Sequence, residues 1–233
     1  MRLLDAIRYD MLFQFRHGFY FVYLLITILY IIVILFLPAD IQNKATTFLL
    51  FSDTATLGFF FIGAIILLEK DQNILESLFV TPLKIYEYFL AKVISLAIIS
   101  MISAVAILIF THGLSANWHV FIPGFLLSSG FFTIFGAIFG IIAKSVNDYF
   151  AKILGIGLVM ATPILSYFSI FETPVFYLLP THATLILIDV VFVNYSALEI
   201  FYAFVNLSFW IAAASGLASW VFAKHIILRT GGV

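Results

Sequence analysis

EKDQNILESLFVTPLKIYEYFLAK, residues 69–92, decides the fold, because this polar island lies between two apolar runs each long enough to cross a bilayer. It carries seven of the chain's 23 Lys, Arg, Asp and Glu residues. At hydrocarbon depth each charge would cost kilocalories, so the island belongs in water at a membrane surface. Within it Ile74, Leu75, Leu78 and Phe79 recur at i, i+1, i+4 and i+5, an apolar stripe over about two helical turns. Thr81-Pro82 predicts a stop and a restart, with Thr81 as N-cap and Pro82 at the first helical position. A short amphipathic helix in water, joined rigidly to two spanning helices, has the shape of a docking element for another protein.

Composition places the rest of the chain in the bilayer. Hydrophobic residues make up 64% and charged residues 10% of 233 residues, with a mean hydropathy of +1.18. So few charges could not cover the exterior of a water-soluble domain of this size. Apolar runs long enough for a hydrocarbon core about 30 Å thick occur at 18–37, 47–68, 93–110, 120–143, 153–171 and 198–223. Six spans are therefore predicted, in a single all-α integral membrane domain over residues 1–233 with no internal repeat or linker. The first run follows a mixed lead and is too long for a cleavable signal peptide. The chain has no cysteine, which excludes disulfides and thiolate metal sites.

Charge sets the orientation. With six spans, Arg2, Arg8, Arg16, Lys70, Lys84, Lys92, Lys144, Lys152, Lys224 and Arg229 fall on one side and only Lys44 on the other. The positive-inside rule then predicts a plasma-membrane protein with both termini and the island in the cytoplasm. Five or seven spans would scatter these charges over both faces.

Two further segments are apolar without being able to span. Residues 3–16 set Leu3, Leu4, Ile7, Met11, Leu12 and Phe15 on one face, with Arg2, Asp5, Arg8 and Arg16 elsewhere, which predicts an interfacial helix on the inner leaflet. Residues 172–197 face outward and are broken by Pro174 and Pro180. They predict an extracellular re-entrant or interfacial hairpin over the outer end of the bundle.

Several chemistries are excluded by what is missing. No GxxxxGK[ST] occurs, so the chain does not cradle nucleotide phosphates in the P-loop manner. An intramembrane serine protease would need GxSG and a base at membrane depth. The nearest string, Leu127-Ser128-Ser129-Gly130, lacks the first glycine, and His17, His112, His119, His182 and His225 sit at span ends or in loops. There is no HExxH or clustered set of His, Asp and Glu for a metal. An ion-coupled secondary transporter, the main alternative to a passive scaffold driven by a partner, would need charges inside the membrane. Only Asp53 lies clearly within a predicted span. A lone carboxylate makes a poor ion pathway, and Asp53 is read as shallow, near the outer headgroups and bonded to neighbouring helices. Asn206 is read as a helix–helix hydrogen bond, Gly136 and Gly140 as a GxxxG packing motif, and Pro163 as a kink in the fifth span.

At the island the sequence resembles the membrane subunits of ABC-2 type exporters. That family carries an acidic/basic cluster after its second span, then Leu-Glu-x-Leu, Thr-Pro, and a Glu and a basic residue opening the third span. The matching positions here are Glu69-Lys70-Asp71, Leu75-Glu76-Ser77-Leu78, Thr81-Pro82, Glu87 and Lys92, while Asn73, Ile74 and Ala91 stand where Gly, Thr and Gly are usual. The opening RYDMLFQFRHGFYFVY is similar to the fluoroquinolone-export permease branch. The resemblance implies that the island, residues 69–92, is a cytoplasmic coupling helix seated in a cleft of a separate ATPase. Leu75, Leu78 and Phe79 would be its apolar knobs and Glu76 a charged contact. Asn147 and Asp148, in the inner turn between Lys144 and Lys152, would make a second contact. It further implies a second copy or a sibling subunit, an apolar or amphipathic cargo (drug, peptide or lipid-like), and no cofactor in this chain, ATP and Mg being held by the ATPase. The partners expected are thus the ATPase, the second permease subunit and the lipid bilayer, with no nucleic acid. The chain is expected to be a transport subunit rather than an enzyme.

Overall fold

A computed structural model of the protein describes residues 2–74, 84–113 and 117–227. The described residues form helices and turns with no strand. Helix α1 (Arg2–Arg16) precedes α2 (Phe19–Phe36), the first span. The second span is composite: α3 (Ala39–Thr56), a π-helical turn (Leu57–Phe61) and α4 (Ile62–Asp71) run on as one rod. α5 (Ile85–His112) starts within the island, and α6 (Trp118–Ile142), α7 (Val146–Met160) and the short α8 (Pro163–Tyr167) follow. A 3-10 turn (Pro174–Leu178) and α9 (Pro180–Asp189) lead to α10 (Ala197–Phe222), which closes with a π turn (Ala223–Ile227). Six of these rods are long and apolar enough to cross a membrane. An even number returns the start of the first span and the end of the last to the same end of the bundle. That end carries all the basic residues of the described chain except Lys44, and is called the basic end below.

α6 is the hub, packed by α10, the π turn, α4, α5 and α9, and its spanning window is 78% buried against 17% for α2 and α10. Small residues make this possible. A Cβ added at Gly136 would lie 1.9 Å from the carbonyl oxygen of Gly58, and one at Gly140 would stand 3.5 Å from the Cα of Gly63. The GxxxG motif of α6 therefore lets its backbone touch that of the second span within this subunit. Phenylalanines fill the space on either side: Phe132 meets Phe51 and Phe59 edge-on, at ring-centroid distances of 5.8 and 5.0 Å.

Several span bounds move from their expected places. The second span begins at Ala39, not at 47, because a helix can continue into polar sequence where it leaves the apolar layer; Thr46 in that extension is buried. Asp53 is consequently deeper than its reading as a shallow residue. It is 1% exposed, its Oδ2 accepts from Ser100 in the middle of α5 at 3.5 Å, and it interacts with Tyr23 of α2. The fifth span begins at Val146 and breaks after Met160, where residues 161–162 form a turn and Pro163 opens α8. Pro163 ends one helix and starts another instead of kinking a continuous one, as its missing N–H allows at a first helical position. α8 itself stops in a turn with Ser169 at φ 57°.

The segment 172–197 does not span. Its 3-10 turn is held by α10, where Tyr202, Asn206 and Trp210 occur at i, i+4 and i+8. Tyr202 and Asn206 donate to the carbonyl of Tyr177, and Trp210 donates to that of Leu178 at 2.9 Å. Asn206 thus bonds to the turn, not to another spanning helix. α9 follows, buried along its whole length apart from the half-buried His182, and Thr181 at its start donates to the carbonyl of Met160 at the end of α7.

Candidate functional site

The expected coupling residues divide into those on the flanks of the island and those inside it. Leu75, Glu76, Leu78, Phe79, Thr81 and Pro82 lie outside the described residues, and so does the predicted amphipathic helix beyond Ile74 with its Thr81-Pro82 junction. The flanks are well defined, and the way they are held is the main finding at this end.

Glu69, expected at a partner surface, is 2% exposed and faces inward. It closes an ion cluster with Lys92 and Asp10: the Lys92 ammonium binds both carboxylates, and all three side chains are almost fully buried. The Tyr88 hydroxyl donates to Glu69 at 2.7 Å. Gln14 donates through Nε2 to Asp10 and to Ser95 Oγ, each at 2.9 Å, and Ser95 donates to Asp10. Lys92 also stands 5.2 Å from the centroid of the Tyr88 ring. Two carboxylates and one ammonium leave a formal charge of −1, which the hydroxyl and amide donors offset. Buried charges need such partners because desolvation otherwise exceeds their attraction.

This cluster joins the last turn of α4, the first three turns of α5 and the polar edge of α1. Residues 69 and 92 are the first and last of the island, so the cluster clamps its two ends together. It also fixes α1, predicted as an interfacial helix, to the bundle along one edge. Asp10, Phe13 and Gln14 are buried against the bundle, while Leu4 and Phe15 remain 70% exposed on the other side. Asp10, Gln14, Tyr88 and Ser95 were not singled out from the sequence. A signal for two of them exists: Asp10 and Gln14 extend the row Leu3, Ile7 at helical spacing, so two polar side chains interrupt an apolar stripe.

Lys70 ties the same flank to the end of α6. Its ammonium donates to the carbonyls of Gly140, Ile141 and Ala143, the last turn of α6. A cation there satisfies carbonyls that have no helical partner and complements the negative end of the helix dipole. Asp71 is exposed. Asn73 has φ 55°, the left-handed conformation that glycine adopts without penalty and asparagine tolerates best among other residues. Asparagine therefore suits the sharp turn that ends α4. At the far side of the island Glu87 accepts from the backbone N–H of Lys84 at 2.8 Å and caps α5.

Asn147 is exposed and Asp148 half-exposed in the first turn of α7. Asp148 accepts from the backbone N–H of Lys144 at 2.9 Å and pairs with Lys152, and Ser145 caps α7 by accepting from the N–H of Asp148 at 3.2 Å. One residue further on, Tyr149 donates to the carbonyl of Phe59 in the π turn. The inner turn is thereby attached to the second span at Tyr149 as well as through Lys70. Among the described residues there is no group of three or more His, Asp and Glu side chains able to hold a metal.

The model of the fluoroquinolones export permease protein family matches residues 1–230. The chain belongs to that family. Fluoroquinolones export permease proteins from two strains of Mycobacterium tuberculosis, CDC 1551/Oshkosh and ATCC 25618/H37Rv, are each 29% identical over 236 residues. The alignments cover 99% of this chain and 98% of each relative. The protein is thus a multi-pass membrane permease of an export family, and the resemblance noted at its opening residues and island extends over the whole chain.

Proposed function

We propose that this permease is the membrane subunit of an ATP-driven ABC-2 type exporter, and that the island 69–92 couples it to a separate ATPase. The observation that carries the reading is the clamp on the island: Lys92 binds both Glu69 and Asp10 inside the protein. A force applied to the island therefore reaches α4, α5 and α1 together. Lys70 extends the connection to α6. In this reading the basic end is cytoplasmic, following the charge asymmetry. Leu75, Leu78 and Phe79 fill an apolar cleft of the ATPase, Glu76 meets a basic residue there, and Asn147 makes a smaller contact beside it. ATP and Mg belong to the ATPase, whose closure displaces the island and, through the clamp, the spans around it.

The cargo is apolar or amphipathic, and the names of the relatives narrow it to drugs of the fluoroquinolone class. A second copy or a sibling subunit completes the pathway. α2 and α10, the most exposed spans, offer the surfaces for it and for lipid.

The test is co-purification of the ATPase with the permease, together with cargo-stimulated ATP hydrolysis in liposomes. Leu78→Asp puts a charge in the apolar contact and Glu76→Lys reverses a charge contact. Each is expected to weaken docking by about 2 kcal/mol or more, with insertion of the six spans unchanged. Normal docking and turnover in both variants would reduce the island to a polar loop and remove the coupling reading.

A further inference from the structure

At the end opposite the basic residues, a cavity of about 510 Å³ opens between the start of α3, α8, the 3-10 turn, α9 and the start of α10. That volume is within the range of small-molecule sites. Its floor is Asp189, 4% exposed, whose carboxylate accepts from Thr47 at 2.7 Å, Tyr167 at 2.7 Å and Tyr195 at 2.8 Å. All three partners are neutral hydroxyl donors, and a carboxylate offers about four acceptor positions. Among the described residues no cation pairs with it. The wall is aromatic: Tyr167, Tyr177, Tyr195 and Tyr202 all line the cavity, and the Tyr177 ring lies 4.4 Å from that of His182.

The charges at this cavity are unequal. Asp189, Asp40 and Glu199 line it against a single ammonium, Lys44. His182 also lines it, with a buried Nδ1 that has no hydrogen-bond partner. Burial holds the His182 imidazole below its ordinary pKa, so it adds no positive charge near neutral pH. Three carboxylates beside tyrosine faces, against one ammonium and a neutral imidazole, are arranged to receive positive charge, because ring faces and carboxylates both attract cations.

We propose that this cavity is a binding site for amphipathic organic cations, with the ammonium group of the ligand directed at Asp189 and its apolar body against the tyrosines. Under the orientation proposed above the site opens to the outside, where a released or incoming cationic cargo would meet it. The site deepens the export reading but does not depend on the ATPase.

The experiment uses the purified permease alone, in nanodiscs of zwitterionic lipid, so failure of the ATPase partnership would leave it untouched. The probes are a dansyl sulfonamide ending in trimethylammonium and its neutral isostere ending in tert-butyl, with empty nanodiscs subtracted. The cation is expected to bind the wild-type protein about tenfold more tightly than the isostere. Asp189→Asn should bring the two to within about twofold of each other, and Tyr177→Leu should weaken the cation by about threefold or more. Tyr177 supports the fold through its carbonyl, which accepts from Tyr202 and Asn206. Its side-chain variant therefore decides the matter if Asp189→Asn proves unfolded. Equal binding of the two probes to the wild type, or unchanged cation binding in a folded variant of either residue, would overturn the proposal.

Discussion

Replacing Lys92 with Met removes the single cation that faces both Asp10 and Glu69 while keeping most of the side chain's volume. In the native protein both carboxylates touch the ammonium, and all three side chains are at most 4% exposed. Breaking a buried pair by deleting one partner costs about 3–5 kcal/mol, since the remaining charge stays buried without compensation. Here two carboxylates are left facing each other, which raises the cost. Against that, Tyr88 still donates to Glu69, and Ser95 and Gln14 still donate to Asp10. The balance is about 3 kcal/mol, near the lower end of that range. Glu69→Gln leaves Lys92 paired with Asp10 and should cost about 1–2 kcal/mol. In the double variant one carboxylate is neutralised along with the cation, so the total should fall short of the sum of the singles by about 1 kcal/mol or more. Equilibrium unfolding by titration with a denaturing detergent in mixed micelles measures all four corners of this cycle. A loss below about 1 kcal/mol for Lys92→Met, or additivity of the singles to within about 0.5 kcal/mol, would show that the cluster does not hold α1, α4 and α5 together.

Two further outcomes follow from the packing and the orientation. Gly136→Ala should destabilise by about 1–3 kcal/mol in the same titration because its methyl group meets the Gly58 carbonyl, whereas Gly155→Ala, with no atom within 4 Å, should be neutral or slightly stabilising through helix propensity; equal effects would remove the close approach of α6 to the second span. The absence of native cysteine allows single-cysteine labelling in intact cells. An impermeant reagent should modify Asn194→Cys and leave Ser77→Cys unmodified, and labelling of Ser77→Cys from outside would reverse the proposed orientation.

The number of spans was legible because the bilayer imposes a minimum apolar length that hydropathy reports directly. The ends of the rods were not, since a helix leaving the apolar layer no longer needs apolar residues. Residues 39–46 are polar and still belong to the second span. The GxxxG at Gly136 and Gly140 was legible as packing, although its partner, Gly58 in the second span, follows only from three-dimensional contact. The clamp on the island was half legible. Glu69 and Lys92 stood out as charges at a surface, but their inward direction depends on Asp10, which reaches them from a helix far away in sequence. Tyr88 and Ser95 carry no sequence signal of their own, being residues common in any apolar helix. The cavity around Asp189 was hidden for the same reason: Thr47, Tyr167 and Tyr195 converge on it from three separate elements.

The π turn at Leu57–Phe61 sets the phase of everything after it in the second span. An α-helix advances by about 100° per residue, and a π turn holds one residue more than an α turn would. Asp53 and Thr54 above it and Ile62, Ile66 and Glu69 below it all face the bundle. The wide turn takes up the extra residue, so the two halves keep the azimuth they would have in a continuous α-helix one residue shorter. Deleting one residue anywhere in Leu57–Phe61 would therefore let the rod anneal into uninterrupted α-helix with Glu69 still facing Lys92 and Lys70 still facing the carbonyls of α6. Tightening the π turn to α with all its residues kept would instead advance α4 by about 100° and turn Glu69 and Lys70 away from their partners. The phase of the island against the spans thus rests on the width of one turn of five apolar residues.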